Sequence, residues 1–203
     1  MKLKEFNKAD DAARRKVTRE FGFRQSSYIN WRIESDYFFC LYHLTKEEAY
    51  LTVKPMYADD LWWDIFGIPE NKLCPQSLRG TGVFSIEGQT ISQYLLFTDD
   101  ITSYTDTGVM EEIWRDTFNK AVADIRHFIE LQPDADSFMP SDNTSDRDRL
   151  LYLMALLHQG RTNEVLQFIH EALEKKHRCQ LHSLDMDSYG HILKWCENLN
   201  TVS

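Results

Sequence analysis

Tyr28-Ile29-Asn30-Trp31-Arg32-Ile33-Glu34 puts Ile29, Trp31 and Ile33 in alternation with Tyr28, Asn30, Arg32 and Glu34. That is the two-residue period of a strand with one apolar face. A second strand is predicted from about Tyr37 to Leu44; it is apolar on both faces and therefore central in its sheet. A third runs from about Tyr50 to Lys54, and Pro55 ends it because proline brings no ladder donor. Strands this closely spaced predict an antiparallel meander.

Helices flank these strands. Leu3, Phe6, Ala13, Val17 and Phe21 recur at helical spacing, with Arg14, Arg15 and Lys16 mostly on other faces and Gly22 as the stop. Tyr57–Phe66 reads as a short helix capped by Asp59 or Asp60. Five glycines and prolines make residues 67–82 a long loop, after which Val83–Ile86 and Ile91–Phe97 read as two more strands. The strongest helical pattern lies at 109–131, where an apolar stripe from Met110 to Ile129 faces away from a polar side. Its Glu111 and Glu112 are placed in the first turn, where carboxylates complement the helix dipole. The expected fold is α+β: a mostly antiparallel sheet of about five strands covered by helices, with a C-terminal helical subdomain.

Residues 132–146, rich in Asp, Ser, Asn and Pro, read as an acidic linker with little to bury. The expected division is an α+β domain at 1–131, this linker, and a helical accessory region at 147–203. In the last, Ser145 and Asp148 have capping-box spacing, Gly160-Arg161 separates two helices of a hairpin, and a third apolar stripe runs from Met186 to Leu199.

The chain has 203 residues and a net charge of −9. Residues 1–54 hold 11 Lys/Arg and 8 Asp/Glu, whereas the rest holds 12 and 24. That balance repels phosphate backbones and argues against nucleic-acid binding, while attracting basic partners. The apolar runs are too short for a membrane span, no secretory segment follows the basic start, and Cys40, Cys74, Cys179 and Cys196 form no CxxC pair. A cytoplasmic protein with reduced thiols is expected. Cys40 and Cys196 fall on apolar patterns and read as core; Cys74 reads as exposed.

Asp59-Asp60-Leu61-Trp62-Trp63-Asp64 is the segment with the most chemistry. Carboxylates beside large aromatics suit a recognition surface, carboxylates alone a metal site, and a capped helix packing its tryptophans on the sheet needs no function at all. Because neighbouring tryptophans do not share one core face, one of them is expected at a rim. Ser77-Leu78-Arg79-Gly80-Thr81-Gly82 lacks the P-loop Lys-Ser/Thr pair and reads as a turn using glycine for positive φ, with anion binding by its amides as the other reading. His170, His177, Cys179 and His182 suggest a zinc site only if one helix carries both His170 and His177; solvated histidines are the plainer reading. Asp134, Asp136, Asp142, Asp146 and Asp148 depart from calcium-loop spacing. No G-x-S-x-G elbow is present, and Asp99-Asp100 suits a turn after a strand.

Gly22-Phe23, Asp36-Tyr37-Phe38, the run from Lys54 to Ile65 (KPMYADDLWWDI) and Ser77 to Phe84 together resemble uncharacterised bacterial proteins related to the DUF4304-type α+β domain, over about residues 5–130. The resemblance implies a small sheet covered by helices and carries over no catalytic residue. The group it implies has no established activity; some small acidic bacterial proteins of that general type neutralise toxins, and toxin neutralisation is expected here by that analogy alone.

The expected function is a non-enzymatic protein-interaction module, of the immunity-protein kind, binding a basic partner through Asp59, Asp60, Trp62, Trp63, Asp64 and Arg79. No cofactor, metal, nucleic acid or membrane is expected, and the oligomeric state is left open. The alternative is an enzyme or small-ligand binder with a carboxylate/Arg pocket drawn from Asp59, Asp60, Asp64, Arg79 and Asp99.

Overall fold

A computed structural model of the chain describes residues 2–43, 45–100, 104, 106–140, 146–177, 182–183 and 186–201. The fold is α+β. Five strands, β1 (Arg24–Ser26), β2 (Ile29–Glu34), β3 (Tyr37–His43), β4 (Glu48–Pro55) and β5 (Gln89–Leu95), form one antiparallel sheet in sequential order. Contacts divide the chain into two compact units, residues 1–53 with 90–133 and residues 54–89 with 134–203.

The first unit holds the sheet, α1 (Leu3–Thr18) and α4 (Thr107–Leu131); the two helices pack on each other. Apolar side chains explain why. Tyr37 and Phe39 of β3 meet the Phe128 ring at 5.2 and 5.8 Å, and Phe23 meets Phe118 at 5.1 Å. Phe6, Val17, Trp114 and Phe118 are all but sealed from solvent; burying a side chain of this size contributes about 2–3 kcal/mol. β3 is central, as its two apolar faces predict. β2 and β3 pair from Ile29↔Tyr42 to Glu34↔Tyr37, and Ser35 and Asp36 turn the hairpin with φ of 50° and 61°, the primed geometry that matches strand twist. Gly22 ends the first helical run at φ 74° after a 3-10 turn over Arg19–Phe21.

Three local expectations change. Arg24–Ser26 forms a strand that its sequence does not announce, whereas residues 83–86 form none. The Ile86 main chain is bonded instead by side chains, its N–H by Asp59 and its carbonyl by Lys54, so it has no need of a ladder. α4 begins two residues earlier than expected because Asp106 accepts from the Gly108 N–H at 2.8 Å. Glu111 and Glu112 therefore lie beyond the first turn, and Glu111 pairs with Lys16 at 2.7 Å.

The second unit is built on α2 (Met56–Phe66), α5 (Asp146–His158), α6 (Thr162–Glu174) and α7 (Ser188–Thr201), with a short helical turn, α3 (Leu78–Thr81). A two-stranded ladder, β6 (His182–Ser183) and β7 (Met186–Asp187), precedes α7. α5 is the buried centre: Leu150, Leu151, Leu153, Met154, Ala155 and Leu156 are all buried and cover every face of the helix. α2 packs against α5 and α7, and Gly160, at φ 71°, turns the chain from α5 into α6. The C-terminal helices are thus no separate accessory; residues 54–89 supply part of their core through Trp62, Trp63 and Ile65. The segment read as a linker also buries something, since Phe138 is 1% exposed. Ser145, proposed as a cap, lies outside the described residues.

Candidate functional site

Five of the six residues singled out from the sequence sit on or beside α2, and the sixth, Arg79, reaches them from α3. The Lys54 ammonium lies 2.9 Å from Asp59 Oδ1, donates to the Arg79 carbonyl at 2.7 Å and donates also to the Ile86 carbonyl. The Ile86 N–H donates to Asp59 Oδ1 at 2.8 Å. Arg79 stands 3.6 Å from Asp59, donates to Asp60 Oδ1 at 2.7 Å and to the Met56 carbonyl at 2.8 Å, and stacks over the Trp63 ring at 5.0 Å. Trp63 Nε1 donates to the Phe84 carbonyl at 2.9 Å.

This arrangement follows from local sequence. Pro55, not an aspartate, precedes the first turn of α2, so Asp59 points inward one turn along instead of capping. Lys54, at the end of β4, approaches the same carboxylate. Asp59, Lys54 and Arg79 are 0%, 2% and 4% exposed. Burial pushes the Asp59 carboxyl up, against the pull of Lys54, the Ile86 amide and Arg79. Two cations and two carboxylates neutralise each other, and further donors bind the main-chain carbonyls of Met56, Arg79 and Ile86 and the Gln76 side-chain oxygen, the last from Arg79 Nε at 2.9 Å. The cluster is a clamp that ties residues 79–86 to α2.

Trp62 and Trp63 are both buried, so neither stands at a rim. Consecutive positions on a helix point about 100° apart, and α2 has partners on more than one side, α5 and α7 on one hand and the 79–86 segment on the other, which Trp63 meets; Trp62 also contacts the Phe66 ring of its own helix. Asp60 and Asp64 are the reachable members of the predicted set, with side chains 37% and 33% exposed; Asp64 pairs with Lys72 at 2.5 Å. Asp99 is exposed in the other unit. Gly82 has an ordinary φ of −75°, so positive φ is not its reason; an added Cβ would meet the Leu78 carbonyl oxygen at 2.7 Å.

A second polar cluster, in the first unit, was not read from the sequence. Trp114 Nε1 donates to Asp10 Oδ1 at 2.6 Å. Thr18 Oγ1 donates to Asn30 Oδ1 at 3.0 Å, Arg14 Nη1 reaches the same oxygen at 3.5 Å, and Asn30 Nδ2 donates to the Leu41 carbonyl. Arg14, expected on an outer face, is 3% exposed. His43 Nε2 lies 3.7 Å from Asp10 Oδ2. Burial, then the Arg14 charge, bring the His43 pKa down to about 4, so the imidazole is neutral at physiological pH and forms no ion pair there. Burial also raises the Asp10 carboxyl. The signal was present: Asp10, Arg14 and Thr18 recur every four residues, next to the stripe of Phe6, Ala13 and Val17. Beside this cluster, Arg15, Lys16, Thr18, Arg19, Gln25 and Ser27 line an open polar groove of about 520 Å³, in which Arg15 pairs with Asp11 and Lys16 with Glu111.

No family model, curated protein or solved structure matches the chain. Among the described residues no three His, Cys, Asp or Glu side chains gather as metal ligands, and no helix is long and apolar enough to cross a membrane. α6 ends at Glu174, so His177 lies past it and does not share a helix face with His170; Cys179 lies outside the described residues. Cys40 and Cys196 are buried and Cys74 is exposed.

Proposed function

We propose that this chain is a non-enzymatic interaction module of the toxin-neutralising immunity type, binding a basic protein on the acidic surface of its second unit. One observation carries the reading. Leu73 and Val83 are 91% and 79% exposed on the segment that leaves α2 and returns to β5, and the buried Lys54–Asp59–Arg79 clamp fastens that segment between them. Large apolar side chains held in water on a pinned backbone suit a preorganised contact surface, because little ordering is left for binding. Asp60, Asp64 and Glu70 accompany them on α2 and the 3-10 turn after it. The unit as a whole carries 10 Lys/Arg against 16 Asp/Glu, which favours a partner of opposite sign.

In this reading Asp59, Trp62, Trp63 and Arg79 support the surface without touching the partner. The closure of their cluster favours interaction over a small ligand held by the same carboxylates and arginine.

Photo-crosslinking in the native host tests it. A crosslinking residue at position 73 or 83 is expected to yield one discrete adduct with a protein of net positive charge. The same residue at exposed Glu174 is expected to yield none. Adducts at 73 and 83 no different from those at 174 would remove the surface.

A further inference from the structure

The groove beside the Asp10–Arg14 cluster, in the first unit and independent of the surface just described, holds more positive charge than its own carboxylates answer. Four cations meet there: Arg14, 3% exposed, and Arg15, Lys16 and Arg19 of the groove's lining. A single carboxylate, Asp11, serves two of them. One of its oxygens accepts from Arg14 Nη2 at 2.7 Å, and the other pairs with Arg15 at 2.9 Å. Gln25 Nε2 donates to the first of these oxygens at 3.2 Å. Glu111 answers Lys16, and Asp10 is bound by Trp114. Arg19 has no side-chain partner among the described residues, and the buried Nε of Arg14 finds no acceptor among them.

Cations in the last turn of α1 also suit the helix dipole. That accounts for about half a charge, and for neither the shared carboxylate nor the unused Nε of Arg14. A buried guanidinium with an incomplete set of partners is costly unless an anion completes it. Arg14 adjoins the groove through Asp11 and through the Ser27 carbonyl, to which it donates at 3.4 Å.

Size and lining narrow the ligand. Arg15, Lys16 and Arg19 lie within four residues, about 6 Å of helix, the reach of one phosphate group rather than a run of them. Asp11, Glu20 and Glu111 stand beside them and oppose a second phosphate. The groove's 520 Å³ is more than one phosphate group fills and is in the range of small-molecule sites. The rest of the lining includes Gln25 and Ser27, whose amide oxygen and hydroxyl have no partner among the described residues.

We propose that this groove binds a phosphate monoester of a small polyhydroxy molecule, a sugar phosphate, with Arg15, Lys16 and Arg19 on the phosphate and Gln25 and Ser27 on the hydroxyls. Guanidinium groups take phosphate oxygens in pairs, and a polar lining gives an apolar ligand nothing to displace water with.

The test titrates the full chain with glucose 6-phosphate at low salt, read by calorimetry and by backbone amide NMR. Glucose, inorganic phosphate and a short DNA duplex serve as comparisons. Amides from Arg15 to Ser27 are expected to shift with glucose 6-phosphate and to stay in place with glucose. Inorganic phosphate is expected to move the same amides and to bind about tenfold more weakly. Arg19→Gln, at an exposed position, is expected to weaken binding about tenfold with the melting temperature unchanged. Glu111→Gln, which frees Lys16, is expected to tighten it. No shift at 15–27 with about 10 mM glucose 6-phosphate, equal affinity in Arg19→Gln, weaker binding by Glu111→Gln, or tighter binding of the duplex would each overturn the proposal. Neither substitution touches position 73 or 83, so the crosslinking result and this one stand or fall separately.

Discussion

The ammonium of Lys54 touches both carboxylate oxygens of Asp59, at 2.9 and 2.8 Å, with both side chains sealed from solvent. Removing one partner of such a pair leaves the other charged and buried, which costs about 3–5 kcal/mol. Lys54→Met is therefore expected to destabilise the protein by about that much in urea denaturation. Adding Asp59→Leu should recover a large part of the loss, since an apolar pair of similar volume needs no counter-charge. A double variant as unstable as the sum of the two singles would contradict the clamp.

His43 predicts a pH dependence with a definite sign. Its pKa falls from 6.5 to about 4 on folding, so between those values the unfolded chain binds a proton that the folded chain refuses. Stability is complete above pH 6.5, declines as pH falls toward 4, and the slope from this residue ends below 4. The total is at most about 3 kcal/mol. His43→Gln is expected to flatten the stability profile between pH 6.5 and 4 by close to one proton; an unchanged slope would place the acid sensitivity elsewhere.

Trp114 and Asp10 hold α4 to α1 through a 2.6 Å hydrogen bond. Trp114→Phe keeps most of the packing and strands a buried acceptor, which costs about 1–3 kcal/mol. Thermal denaturation of Trp114→Phe, compared with Trp114→Phe plus Asp10→Leu, measures it. The second change should recover stability if the stranded carboxyl is the cause.

Gly82 and Gly67 are glycines for different reasons. Gly82→Ala forces Cβ against the Leu78 carbonyl oxygen at 2.7 Å, a backbone atom that moves only with the turn. Gly67 has open space around it and a φ of 79°. Gly67→Asn should therefore be tolerated better than Gly67→Val, because asparagine enters left-handed geometry with less strain. At Gly82 even alanine should destabilise, by about 1–3 kcal/mol.

The sheet and the two helices on it were legible because their patterns are long and periodic: the alternation at 29–33, the two-sided apolar run of β3, and the stripe of α4. Residues 83–86 misled because three apolar residues in four, Val83, Phe84 and Ile86, look like a strand until the side chains that bind its main chain are known, and Lys54 and Asp59 lie 27 or more residues away from Ile86. The tryptophan pair misled for a related reason. One helix was granted one core face, whereas α2 has neighbours on two sides. Arg14 was assigned to an outer face by its charge, although its spacing from Asp10 and Thr18 placed it inward. The predicted site residues do converge, but four of them are buried where only a fold can use them. Leu73 and Val83 gave no signal, since exposure of an isolated aliphatic residue is not written in its neighbours.

The most direct test of the account is affinity capture from the native host with the intact chain, at increasing salt, alongside Leu73→Ser with Val83→Ser. The account predicts one predominant protein of net positive charge, retained at low ionic strength, released as salt rises and lost with the double variant. Retention of the same protein by the variant, or of an acidic protein indifferent to salt, would contradict it.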